Sequence, residues 1–226
     1  MSDTTGVRHR FGIATGSWPE RDDWPAAIAR ATQESWRVVE LTAITVPRLT
    51  SLLRDLPNGA LDGFDRVSLH APVLFETSAS AWAHELTWLA REHDVILHPD
   101  VYRDEAWLES LGPRAVFENM DAVKSFGRDV ADLRGVFERF PAAGFCLDVA
   151  HVWTNDRTLA LGHELLDAFG ERLRQLHVSG IEPDGRHRET TAADLELYEP
   201  LLGRCSQVPW VLEAELVDRT PEPGSS

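Results

Sequence analysis

The 226-residue chain predicts a single (β/α)8 barrel of the α/β class, and three observations lead there. Short runs rich in Val, Ile, Leu and Phe recur eight times, as buried parallel strands do. Longer stretches with three- and four-residue apolar steps separate them, and strands alternating with helices imply a parallel sheet. Eight such units favour closure into a barrel over an open doubly wound sheet. The first turn, TGSWPE, lacks the glycines of a nucleotide-binding open sheet, and neither GxGxxG nor a P-loop occurs.

The strands fall at Phe11–Thr15, Val38–Ile44, Arg66–Ala71, Val95–Pro99, Ala115–Asn119, Phe145–Ala150, Leu173–Ser179 and Trp210–Leu216. Helical periodicity marks Trp24–Trp36, Ala81–Glu92, Phe126–Phe140, Leu159–Phe169 and Ala192–Leu202, and more weakly Val46–Leu56 and Glu105–Leu111. Pro113, Gly144 and Pro209 stand just before the fifth, sixth and eighth strands, where breakers belong. After the eighth strand only the polar, Pro/Gly-rich VDRTPEPGSS remains, so the expected barrel lacks its last helix. One domain spans 1–226, with 1–10 and 217–226 expected as flexible tails. The outer face left bare by the missing helix suits a second copy, and a homodimer is the expectation.

With 43% hydrophobic and 26% charged residues, the composition is that of an ordinary globular protein. A net charge of −15 argues against nucleic acid as a partner, leaving a small molecule. Nearly all basic residues are Arg, Lys124 being the one lysine, and Arg186 with Arg188 could form part of a local basic patch. Two cysteines, Cys146 and Cys205, make no disulfide framework, and no apolar run approaches membrane-spanning length. A cytoplasmic location, with no membrane association, is the default expectation.

Metal-binding residue types recur at one place in the unit. His70, His98, Glu118, Asp148, His177 and Glu213 each stand at or near the end of a predicted strand, so six of eight strands deliver one to the same rim. In a (β/α)8 barrel that rim is the active-site face. Imidazoles and carboxylates gathered there repel one another and resist desolvation, and a bound cation answers both problems. Side-chain alternation agrees: Val116 with Glu118, Cys146 with Asp148, and Gln175 with His177 share faces. Mixed His and carboxylate donors without thiolate suit Zn²⁺, Mn²⁺ or Fe²⁺, and two or three ions per chain are expected. His151, three residues after Asp148, should sit at the rim just past its strand, and Asp184 with His187 lies beyond the seventh strand. Glu40, Asn119, Arg186 and Trp153 are candidates to contact substrate.

The series SLHAP, ILHPD, FENMD, CLDVAHVW, LHVSG and VLEAEL, taken in order and spacing, resembles the xylose isomerase-like barrel superfamily, from Phe11 to Leu216. That group includes endonuclease IV-type enzymes and sugar or sugar-phosphate isomerases and epimerases. The resemblance implies a four-ligand site of Glu118, Asp148, His177 and Glu213. It implies a second ion held by His70 and His98 and bridged by Glu118, and a third site of His151, Asp184 and His187. The spacing Asp184-Gly-Arg-His187 is one residue longer than the Asp-x-His of the endonuclease branch. The expected reaction is isomerisation or epimerisation of a small sugar-like or sugar-phosphate substrate. Glu118 and Glu213 would exchange its proton, and His151 would orient its oxygens. Phosphate-ester hydrolysis by a multinuclear centre, peptide oxidation by non-haem iron and plain metabolite binding are the alternatives.

Overall fold

The computed structural model describes residues 11–74, 82–102, 106–182 and 185–217. In chain order the strands and helices are β1 (Phe11–Ala14), α1 (Trp24–Gln33), β2 (Val38–Thr42), α2 (Val46–Asp55), β3 (Arg66–His70), α3 (Ala83–Leu89), β4 (Asp94–Leu97), the single-turn α4 (Pro99–Tyr102) and β5 (Ala115–Glu118). Then follow α5 (Val130–Arg139), β6 (Gly144–Asp148), α6 (Val149–Asn155), α7 (Ala160–Phe169), β7 (Leu173–Val178), β8 (Gly180–Ile181) and β9 (His187–Arg188). The last are β10 (Thr190–Thr191), α8 (Ala192–Leu202), β11 (Trp210–Leu212) and β12 (Leu216–Val217).

Eight parallel strands close in the order β1-β11-β7-β6-β5-β4-β3-β2, which excludes the open-sheet alternative. Their outer faces pack on the helices. Phe137 of α5, for example, sits 6.1 Å from Phe145 of β6 and 4.8 Å from Phe169 of α7, ring to ring. A separate small cluster of Ile96, Val116 and Cys146 lies apart from that layer, at the inward positions that alternation assigns them. Burial pushes the Cys146 thiol up to about 12, so it remains neutral. Strands covered on both faces explain the unbroken apolar runs.

Side chains start several helices. Asp23, Thr45 and Asp129 each accept a hydrogen bond from the backbone N–H three residues on, and Thr191 with Asp194 forms a reciprocal capping box at α8. The expected helix over Phe126–Phe140 therefore begins only at Val130, after Gly127 (φ 87°). The expected Glu105–Leu111 helix is a 3-10 segment over Ala106–Arg114 that kinks at Gly112. The eighth barrel strand ends at Leu212; Leu216–Val217 turns away to pair with Thr190–Thr191, so Val217 is strand and not tail. Among the described residues no helix follows β11, and none is long and apolar enough to cross a membrane.

The two ends of the barrel differ in chemistry. At the N-terminal end a cleft of about 710 Å³ is lined by Arg66, Asp94, Arg114 and Arg174, among others. There Asp94 takes Arg66 at 2.7 Å and Arg114 at 3.2 Å, so its cations are tied into structural pairs. The C-terminal end collects the histidines and carboxylates.

Candidate metal centre

Three groups of donors meet at the C-terminal end: His70, His98 and Glu118; Glu118, Asp148, His177 and Glu213; and Asp148, His151 and His187. Within each group one donor atom per residue lies within 4.8 Å of the others. Adjacent groups share Glu118 or Asp148, so the three are contiguous.

The strand ends set the first group. His70 ends β3, and its Nδ1 is 3.0 Å from the Ala71 carbonyl, which takes the Nδ1 proton and turns Nε2 into the bowl. His98 follows β4, and its Nε2 lies 3.2 Å from that of His70. Glu118 Oε2 stands 3.6 Å and 3.4 Å from these two nitrogens.

The other oxygen of Glu118 serves the second group. Oε1 is 3.3 Å from His177 Nδ1, which is itself 3.3 Å from Glu213 Oε1. Neither Glu118 oxygen has a hydrogen-bond partner, and Asp148 Oδ2, His177 Nδ1 and Glu213 Oε2 share that condition. Buried polar atoms left unpaired together, all facing one space, are what a cation satisfies. Geometry gives a second test. Donors bonded tetrahedrally at 2.0–2.1 Å are about 3.3–3.4 Å apart, which these edges match. The residues fit a divalent ion, and burial keeps the Cys146 thiol beside His177 neutral.

The third group rests on α6 and the β8–β9 hairpin. Asp148 caps α6, accepting from the His151 N–H at 2.7 Å, so His151 lies in a helix and not in a rim loop. His151 Nδ1 is 2.9 Å from the Asn119 carbonyl, leaving Nε2 to face His187 Nε2 at 3.3 Å. His187 Nδ1 is oriented by Ser179 Oγ at 2.8 Å, and Glu213 Oε2 lies 3.1 Å from it, at ion-pair distance without a hydrogen bond. Asp184 falls outside the described residues.

Electrostatics follow from this crowding. Burial opposes charge on Glu118, yet the imidazoles of His177, His70 and His98 hold its carboxyl well below the usual range. Burial likewise opposes charge on His177, and interactions with Cys146 and then with the carboxylates of Glu40, Glu213 and Glu118 carry it well above an ordinary imidazole. For His187, burial is outweighed chiefly by Glu213, which lifts it to about 10. Asp148 is pushed up to about 7 by burial, against His151 and with help from Glu213 and Glu118. Protons thus occupy the imidazoles when no cation is present, and a metal must displace them.

The four residues expected at the substrate differ in their surroundings. Glu40 is fully buried inside the barrel, where its Oε2 meets Ser68, Gln175 and His177, and no face of it reaches the bowl. Asn119 is also fully buried; its amide donates to the Asp148 carbonyl at 3.0 Å and accepts from the Asp148 N–H at 2.9 Å, clamping β5 to β6. Trp153 carries the Arg157 guanidinium over its ring at 4.7 Å, which covers one of the two faces a sugar would use. Arg186 is exposed in the β8–β9 turn. Its neighbour Arg188 binds Asp194 twice at 2.8 Å and anchors the hairpin to α8, so the two arginines form no common patch. Ser179, Gln175 and Glu40 gained their roles only from the structure; the shared parity of Gln175, His177 and Ser179 was the available signal for two of them.

No protein-family model matches the chain, and no curated protein matches it. Its fold is shared by solved structures. One is that of AsfvAP:AG, 13% identical, with a TM-score of 0.54 over 92% of this chain and 91% of that one. Another is protein SMc04130 from Sinorhizobium meliloti 1021, 12% identical, with a TM-score of 0.59 over 93% of this chain and 90% of that one. These likenesses concern the fold. The closed barrel is the fold that the resemblance in sequence implies.

Proposed function

We propose that the protein is a multinuclear metal-dependent hydrolase of small phosphate esters. One observation supports this above the rest: the two oxygens of Glu118 face two different donor groups, Oε2 toward His70 and His98 and Oε1 toward His177. A carboxylate facing donors on both sides would hold ions on both. It would then have no oxygen left to carry a substrate proton, which is what isomerisation would ask of it. His70 and His98 have no task in a single-ion epimerase and a clear one here.

Divalent ions held in these groups would acidify a bound water and offset charge on phosphoryl oxygens. The chain's own part is preparation. Backbone carbonyls at Ala71 and Asn119 fix the tautomers of His70 and His151, and Asn119 holds the backbone of Asp148. Two divalent ions already outweigh the charge of Glu118, Asp148 and Glu213, so a bowl within an acidic protein would attract an anion. A neutral sugar would gain less from that field.

The test is metal content per chain by elemental mass spectrometry, with phosphate release from a panel of phosphomonoesters and diesters, for wild type and Glu118→Gln. Two or three ions and hydrolysis, with both largely lost in the variant, are expected. A metal-loaded protein that hydrolyses none of the panel but exchanges solvent deuterium into a sugar overturns the proposal in favour of isomerisation. Iron with substrate-dependent oxygen uptake overturns it in favour of oxidation.

A further inference from the structure

Directly beneath the second donor group lies an acid that the proposed chemistry does not use. Glu40, on β2, is fully buried in the barrel interior, with Ser68, Gln175 and His177 around it. A buried carboxylate is costly unless donors satisfy it, so its presence calls for a reason. Three groups converge on one of its oxygens. Ser68 Oγ donates to Oε2 at 3.1 Å, Gln175 Nε2 donates at 2.7 Å, and His177 Nε2 lies at 3.0 Å. His177 is thereby divided: its Nε2 faces Glu40, while its Nδ1 faces Glu118 and Glu213 at 3.3 Å each. An imidazole can offer a lone pair at Nδ1 only if its proton sits on Nε2.

We propose that Glu40 is a positioning residue that keeps the proton of His177 on Nε2 and so presents Nδ1 to a metal ion, with Gln175 and Ser68 holding Glu40 in place. The inference rests on the metal-site reading above. It assigns Glu40 no contact with substrate. Chemistry explains the choice of residue: an oxygen that accepts and does not donate leaves His177 Nε2, 3.0 Å from Oε2, to supply the proton between them. A glutamine at this position fills the same space but puts an amide, half donor, against His177 and Gln175. Its amide can turn its own N–H toward His177 Nε2, which favours the opposite tautomer and shuts the lone pair away from the site.

The experiment compares wild type, Glu40→Gln and Ser68→Ala, each metal-free and zinc-loaded. Zinc affinity is measured by chelator competition, and the ring nitrogens of His177 are followed by two-bond ¹⁵N–¹H correlation spectra. In wild type, zinc addition should displace the proton from Nδ1, which takes the metal-bound shift, while Nε2 keeps its own. Glu40→Gln should weaken zinc binding by roughly 10- to 100-fold, as loss of such supporting partners does, with His177 shifting toward the other tautomer. Ser68→Ala, which spares the Glu40–His177 contact, should stay within a few-fold of wild type. If Glu40→Gln binds zinc like wild type and leaves the His177 resonances unmoved, the proposal is overturned, whatever its melting temperature does. If wild type binds no zinc, the metal reading fails. Metal-free spectra taken at a pH high enough to leave His177 one proton then still decide whether Glu40 holds it on Nε2.

Discussion

The Nε2 atoms of His70 and His98 face each other at 3.2 Å across the ends of β3 and β4. Their rings meet edge to face, with centroids 4.9 Å apart. Two imidazole nitrogens so close are either a hydrogen-bonded pair or two edges of one coordination shell. The nearby Glu118 Oε2, buried without a hydrogen-bond partner, favours the shell.

His98→Ala should therefore remove one ion per chain and leave the Asp148–His177–Glu213 side loaded. Phosphate-ester hydrolysis should fall roughly 100-fold or more, the scale at which a major electrostatic stabiliser acts. Elemental analysis beside the rate decides; an unchanged ion count with full activity would return His98 to an ordinary polar role.

The β8–β9 hairpin carries His187 and admits no side chain at Gly180. A methyl group there would stand 2.4 Å from the Glu189 carbonyl oxygen and 2.2 Å from Arg188 Nη1. The arginine could swing aside, but the backbone oxygen could not. Gly180→Ala should displace His187 and weaken only the third donor group, giving the same metal loss as His187→Ala while His70 and His98 keep theirs. Titration of metal per chain in both variants checks this.

Asn119→Ala should lower stability by about 2–4 kcal/mol, because it leaves the N–H and C=O of Asp148 buried without partners. Urea unfolding of the metal-free protein measures it. A change near zero would mean that β5 and β6 are held together without this clamp.

Stability of the metal-free protein should fall as pH rises from about 6.5, the ordinary imidazole value, toward 10. His70, His177 and His187 all titrate above their unfolded values, His187 at about 10, so the stability they lend is complete below the unfolded pKa and lost through the raised one. Asp148, raised to about 7, adds a loss of the same sign between its ordinary range and neutrality. Glu118 and Glu213 are depressed, and their contribution is lost only as pH falls below the usual carboxylate range. Metal binding displaces protons, so the gain in melting temperature on zinc addition should grow over the same interval. Calorimetry from pH 5 to 9.5 with chelator or with zinc tests both slopes. A metal-free melting temperature that climbs through this range would contradict the charge assignment.

Strand ends were legible because their pattern is local. An apolar run, a polar residue at its close and a following helical segment are neighbours in sequence, and alternation by two assigns each side chain a face. That is why His70, Glu118, Asp148 and His177 could be placed at one rim before any coordinates. The ends of elements were harder. Asp148 belongs to β6 yet also caps α6, and the run through Ala150 concealed the switch because both elements there are apolar.

By itself, then, the sequence determined the barrel and the residues that reach the C-terminal rim, since each follows from patterns within one βα unit. The tertiary structure alone decided which of them gather into one donor group, and that Glu40 and Asn119 lie fully buried. Glu40 meets His177 across 137 positions of chain, and Asn119 meets His151 across 32. Contacts of that kind come from barrel closure and strand register, which bring inward side chains of distant strands onto one level, and no local pattern records which two will meet.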